Sequence, residues 1–114
     1  MPDFDDKEVE AAKKVAIAHY KLITEGKQDD WLKTMEPIKK SDALRYYWPA
    51  GRKWIEGGGS YEFKFFDTKY STPKRLKFFF HRYNKEGKPS GSGQVPVIMV
   101  KNKEGKWIVD VASW

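Results

Sequence analysis

The stretch DDKEVEAAKKVAIAHYKLITEG, residues 5–26, decides the reading of this chain. Val9, Ala12, Val15, Ala16, His19, Tyr20 and Ile23 recur at three- and four-residue steps, which places them on one stripe of a helix. Lys7, Glu10, Lys14 and Lys21 fall largely on the opposite side. Asp5 and Asp6 stand where a carboxylate caps and charges a helix start, and Gly26 stands where a helix ends in the left-handed conformation. The spacing predicts a helix from about Asp6 to Glu25.

Beyond Gly26 the pattern shortens. Asp29-Asp30 opens a second helix carrying Trp31, Leu32 and Met35, ended by Pro37. Ser41 reads as the N-cap of a segment from Asp42 to Tyr47 that Pro49 stops. Arg52 to Ser60, with Gly57, Gly58 and Gly59, reads as a break. Four β-type runs follow, Tyr61–Lys69, Lys74–Tyr83, Gln94–Asn102 and Lys106–Ser113. A helix followed by an antiparallel sheet is an α+β layout, and a sheet wrapping one long helix curves into a cone with a cavity.

The pentapeptide Asn-Lys-Glu-Gly-Lys occurs twice, at Asn84–Lys88 and Asn102–Lys106. Asn at the first turn position with Gly at the fourth fits a type I turn closed by a left-handed glycine. Ser90-Gly91-Ser92-Gly93 is expected to extend the first of these connections as a mobile loop. Pairing Asn102 with Lys106 sets Met99 opposite Val109 and Val97 opposite Val111, with Trp107 and Val95 completing a core face. Ile98, Val100, Ile108, Asp110 and Ala112 then share the other face. Phe78–Phe80 and Val97–Val100 are apolar at consecutive positions, where a half-exposed strand would alternate. Another subunit, a neighbouring domain, a ligand or the chain's own short helices must cover part of that face; a homodimer meeting sheet against sheet is the expected cover.

Composition bounds the chemistry. The 114 residues suit a single domain over 1–114, long enough to bury roughly two thirds of its unfolded surface. There is no cysteine, which excludes thiol nucleophiles, cysteine-ligated zinc and disulfides. No apolar run approaches the ~20 residues of a membrane span, and the acidic start is neither a signal nor a transit peptide. Either the chain is cytoplasmic, or it is exported and a leader has been removed. The net charge of +6 is spread over helix, turns and strand ends, which disfavours a nucleic-acid partner and reads as a solubilising surface. His19 and His81 are the only histidines, so no metal site is expected, and no cofactor motif occurs. His19 is expected to be a hydrogen-bonded core residue.

With its patterns in place, the chain resembles the nuclear transport factor 2-like superfamily, the cystatin-like α+β cone. The resemblance is carried by Val15 to Trp31, similar to the superfamily's first helix, glycine and second short helix, and by Gly105 to Val111, similar to its final strand. It implies either a ketosteroid isomerase-like or polyketide-cyclase-like enzyme or a small bacterial accessory domain, such as the type that precedes transpeptidases. The chain is closer to the accessory type, and has no room for a transpeptidase domain.

Isomerase chemistry needs a carboxylate base and an acid pair in an apolar pocket. Tyr20, Asp67 and Asp110 are of suitable type, but no motif marks them, so no catalytic residue is assigned. The expectation is a non-enzymatic domain that binds a small molecule, a cell-wall polymer or a protein; the alternative is a small acid–base enzyme. The expected ligand-binding residues are Tyr20, Tyr47, Trp54, Phe65, Phe80 and Trp107, lining a pocket between the first helix and the sheet.

Overall fold

The structure, a computed structural model, describes residues 4–36 and 40–114. Helix α1 spans Asp6–Glu25, as the spacing predicts. The Asp5 side chain accepts from the Lys7 backbone N–H at 2.9 Å. Gly26 closes the helix at φ 74°, its N–H bonded to the Ile23 carbonyl. The last turn of α1 has no basic residue of its own. Arg52 supplies one from a distance, donating to the Ile23 and Thr24 carbonyls at 2.8 and 3.1 Å. A cation there satisfies orphan carbonyls and opposes the helix dipole.

Helix α2 is Gln28–Leu32, and the expected stop at Pro37 lies outside the described residues. Next come α3 (Lys40–Asp42), a π-helical turn (Ala43–Tyr47) and α4 (Trp48–Glu56). Two expectations are corrected here. Pro49 does not stop the segment: the backbone stays helical from Lys40 through the π-helical turn to Glu56, and Pro49 sits in the first turn of α4, just after the π-helical turn. The break expected from Arg52 is therefore helical as far as Glu56. Gly51 lets α4 approach α1: a Cβ there would lie 3.0 Å from an Ile23 methyl and 3.3 Å from the Trp114 ring.

Strands β1 (Ser60–Phe66), β2 (Arg75–Tyr83), β3 (Pro89–Lys101) and β4 (Trp107–Ala112) form a curved antiparallel meander in sequence order. A short 3₁₀ turn, Thr68–Tyr70, links the first two. Both Asn-Lys-Glu-Gly-Lys turns close alike. Gly87 and Gly105 sit at φ 76° and 78°, and each turn's asparagine side chain accepts two backbone N–H groups. Ser90 to Gly93, expected as a loop, is part of β3, since the strand begins at Pro89.

Met99 pairs with Val109 as the turn geometry requires. A bulge then shifts the register, so Ile98 opposes Val111 and Val97 opposes Ala112. The assignment of Val111 to the core is corrected accordingly, since it is 48% exposed; Ile108, before the bulge, keeps its register against Val100 and stays outside the core cluster, although it is buried. One extra residue on a strand sends each following side chain to the opposite face. The core otherwise joins Ala12, Ala16, Tyr20 and Ile23 of α1 to Phe78, Phe80, Val95, Val97, Met99 and Val109 of the sheet.

Candidate functional site

Inside the cone, the polar groups of α1 are committed to internal bonds. The Thr34 hydroxyl donates to the Trp31 carbonyl at 2.6 Å, so it accepts from His19 Nδ1 at 2.7 Å. His19 Nε2 in turn accepts from the Trp31 indole at 3.3 Å. These three contacts fix a neutral, Nδ1-protonated imidazole, the expected core histidine. Burial pulls its pKa down to about 3. The Tyr20 hydroxyl donates to the Ser113 carbonyl at 2.8 Å, and burial raises its pKa well above the ordinary value. Tyr61, its ring 5.0 Å from that of Tyr20, is pushed up to about 12 by burial. Neither hydroxyl ionises near neutrality.

Aromatic rings fill the remaining interior. Trp31 packs on Trp48 at 5.1 Å, and the His19 ring lies 5.4 Å from both Trp31 and Trp114. The indole N–H of Trp114 and the hydroxyl of Tyr61 are buried without a hydrogen-bond partner. Two open hollows remain between α1 and the sheet, one against β4 and one against β1 and β2, and further concavities lie beside β4 and α4.

A cavity of about 250 Å³ lies where β4 meets the π-helical turn. Met35 reaches it through a parallel bridge to Val109, set by the Val109 N–H donating to the Thr34 carbonyl at 2.7 Å. Tyr47 and Trp114 form one wall, their rings stacked 4.6 Å apart and 18° from parallel. Ala43 supplies the floor, and Asp42 and Asp110 contribute carboxylates. Asp110 accepts from Arg75 at 2.6 Å.

The six expected ligand-binding residues do not share one cavity. Tyr47 lines the β4 cavity. Trp54 lines a separate cleft of about 520 Å³, under the Arg82 guanidinium, with its indole N–H donating to the Ser60 carbonyl. Tyr20 and Phe80 touch at 4.4 Å beside a hollow next to α1. Trp107 is buried at a fourth hollow, its indole donating to Glu8 Oε2 at 2.6 Å. Lys101 donates to the other Glu8 oxygen at 2.8 Å, and the bonds to Lys101 and Trp107 hold the Glu8 carboxyl below its ordinary range. Phe65 stands on the outer face of the sheet, stacked on Phe79. Sequence reasoning missed Met35, Asp42 and Trp114, which no local pattern marks as neighbours of Tyr47.

Among the described residues no group of three or more His, Asp or Glu side chains is placed to hold a metal ion, and no helix is long and apolar enough to cross a membrane.

No known protein-family profile matches the chain, and no curated protein matches it in sequence. A solved structure does: a Shewanella frigidimarina protein described as a candidate ketosteroid isomerase, at a TM-score of 0.64 and 13% identity, over 91% of this chain and 94% of that one. At that identity the likeness shows the fold alone, an α+β cone.

Proposed function

We propose that the chain is a non-enzymatic binding domain that takes a small, largely apolar molecule in the cavity beside β4. The observation that carries this reading is the stacked Tyr47–Trp114 wall. Small-molecule sites are concave, mostly apolar and aromatic, with few polar anchors. The Asp42 carboxylate is such an anchor. The role is accessory, serving whatever partner carries the chemistry. The narrower likeness to transpeptidase-associated domains rests on the sequence pattern alone.

The second reading is an acid–base enzyme, favoured by the likeness to the candidate isomerase. Isomerase chemistry of that type uses a protonated carboxylic acid beside a tyrosine donor. Here the Asp110 carboxylate is ion-paired with Arg75, and the Tyr20 hydroxyl is bonded to the Ser113 carbonyl. Those commitments support binding over catalysis.

Ligand-observed NMR with a set of small aromatic compounds tests the reading. Tyr47 is 43% exposed, so Tyr47→Ala should fold as the parent does and lose the binding signals. Unchanged binding in that variant would reject the cavity. Conversion of a β,γ-unsaturated ketosteroid to its conjugated isomer, abolished by Asp42→Asn or Asp110→Asn, would establish the enzymatic reading instead. Pairing of two copies through the sheet, expected from the sequence, is one use of the outer face.

A further inference from the structure

The outer face of the sheet gathers rings and ammonium groups that the sequence scatters. Phe65 on β1 stacks on Phe79 of β2 with ring centroids 5.0 Å apart and planes 27° from parallel. Phe65 is 45% exposed and Tyr70, just before β2, is 65% exposed. The Lys77 ammonium lies 4.9 Å from the Phe79 centroid and 5.0 Å from that of Tyr70, and Lys69 lies 5.4 Å from Tyr70. The result is a run in which ammonium groups and rings alternate over Lys69, Tyr70, Lys77 and Phe79, with Phe65 stacked at its end.

Charge decides what fits there. Arg75 is paired with Asp110 at 2.6 Å, and Lys64 with Glu62 at 3.5 Å. Lys69 and Lys77 contact ring faces and, among the described residues, no carboxylate. A second copy centred on Phe79 would bring two such Lys77 groups together without a counter-charge. The occupant that complements the face is anionic. A run of rings and cations in alternation matches a chain whose repeat is one planar ring and one phosphate. Phosphates draw the flexible ammonium groups off the ring faces, and bases take their place by stacking, which is sequence-tolerant and salt-dependent. Polysaccharide hydroxyls are served poorly by this run, which holds no amide or free carboxylate. Against the expectation from the spread charge of the sequence, and because the fold gathers Lys69 and Lys77 beside Tyr70 and Phe79 on one face, we propose that this outer face binds single-stranded nucleic acid.

Fluorescence anisotropy of a labelled oligothymidylate of ~15 nucleotides tests it on the chain as it stands. Binding should weaken linearly in log–log form as salt rises from about 50 to about 200 mM. Replacing both ammonium groups, Lys69→Gln with Lys77→Gln, should lower the magnitude of that slope by about 1.4, from about 0.7 per phosphate contact on a single strand. Phe65→Leu should weaken binding about tenfold through lost stacking. If Phe65→Leu fails to fold, the lysine pair, which lies outside the core, carries the test. The proposal is overturned by no binding at the lowest salt, by variants that bind like the parent, or by equal affinity for a duplex of the same length. Polyglutamate competing as well as the oligonucleotide would also overturn it, in favour of an acidic polypeptide. Sedimentation as a dimer that Phe79→Lys converts to a folded monomer would assign the face to a second copy and overturn it likewise.

Discussion

At pH 7 the His19 imidazole is neutral because burial forbids its charge and both ring nitrogens are already used. The consequence for stability has a definite sign. Its folded pKa, about 3, lies below the ordinary value of 6.5, so the unfolded chain binds the extra proton first as pH falls. Stability from this group is fully present above pH 6.5 and is lost on acidification until the folded pKa is reached. Between pH 7 and 5 that loss should be about 2 kcal/mol. Urea denaturation at the two pH values checks it. His19→Gln should be less stable at pH 7, since it disturbs bonds to Trp31 and Thr34, yet should lack this part of the pH dependence. An unchanged pH dependence in His19→Gln would show that the slope belongs to other groups. A core histidine was legible from its place on the apolar stripe. Its partners were not, because Thr34 reaches it from beyond the second helix.

The elements follow the same division. The bounds of α1 and both Asn-Lys-Glu-Gly-Lys turns were legible, since period, caps and turn residues are local signals. The bulge in β4 was not, because the extra residue, Asp110, keeps the alternation of a regular strand in Val109-Asp110-Val111 and so leaves no mark in the sequence. It makes a sharp prediction within one strand. Val109→Ala should cost on the order of 1–3 kcal/mol, because Val109 faces the core. Val111→Ala, two residues on, should stay within about 0.5 kcal/mol, since half of its side chain is already in water. Equal costs in chemical denaturation would restore the unshifted register. The misread of Pro49 has a similar origin. Proline stops a helix from within and starts one from its first turn, and sequence alone does not say which side of the boundary it occupies.

At the scale of the molecule, Trp114 joins what the meander leaves apart. Its ring contacts His19 of α1, Trp31 of α2, Tyr47 of the π-helical turn and the neighbourhood of Gly51 in α4. Its carbonyl accepts from Arg82 of β2 at 2.7 Å. Trp114→Ala should therefore destabilise the whole fold by about 2–3 kcal/mol, less than a fully buried tryptophan because the residue is only partly buried. Thermal unfolding followed by circular dichroism would measure this. A change confined to ligand binding, with the melting temperature intact, would reduce Trp114 to a local wall of the cavity.

The amino-acid order by itself determined the α+β layout, the first helix with its caps, the number of strands and their antiparallel turns. Each of these is written in residues a few positions apart. Only the tertiary structure decided where the concavities lie, that six aromatic candidates serve different places, and that Lys69 and Lys77 share one face with Phe65 and Phe79. Such groupings depend on register, curvature and the filling of the cone, and these are set by packing between residues far apart along the chain.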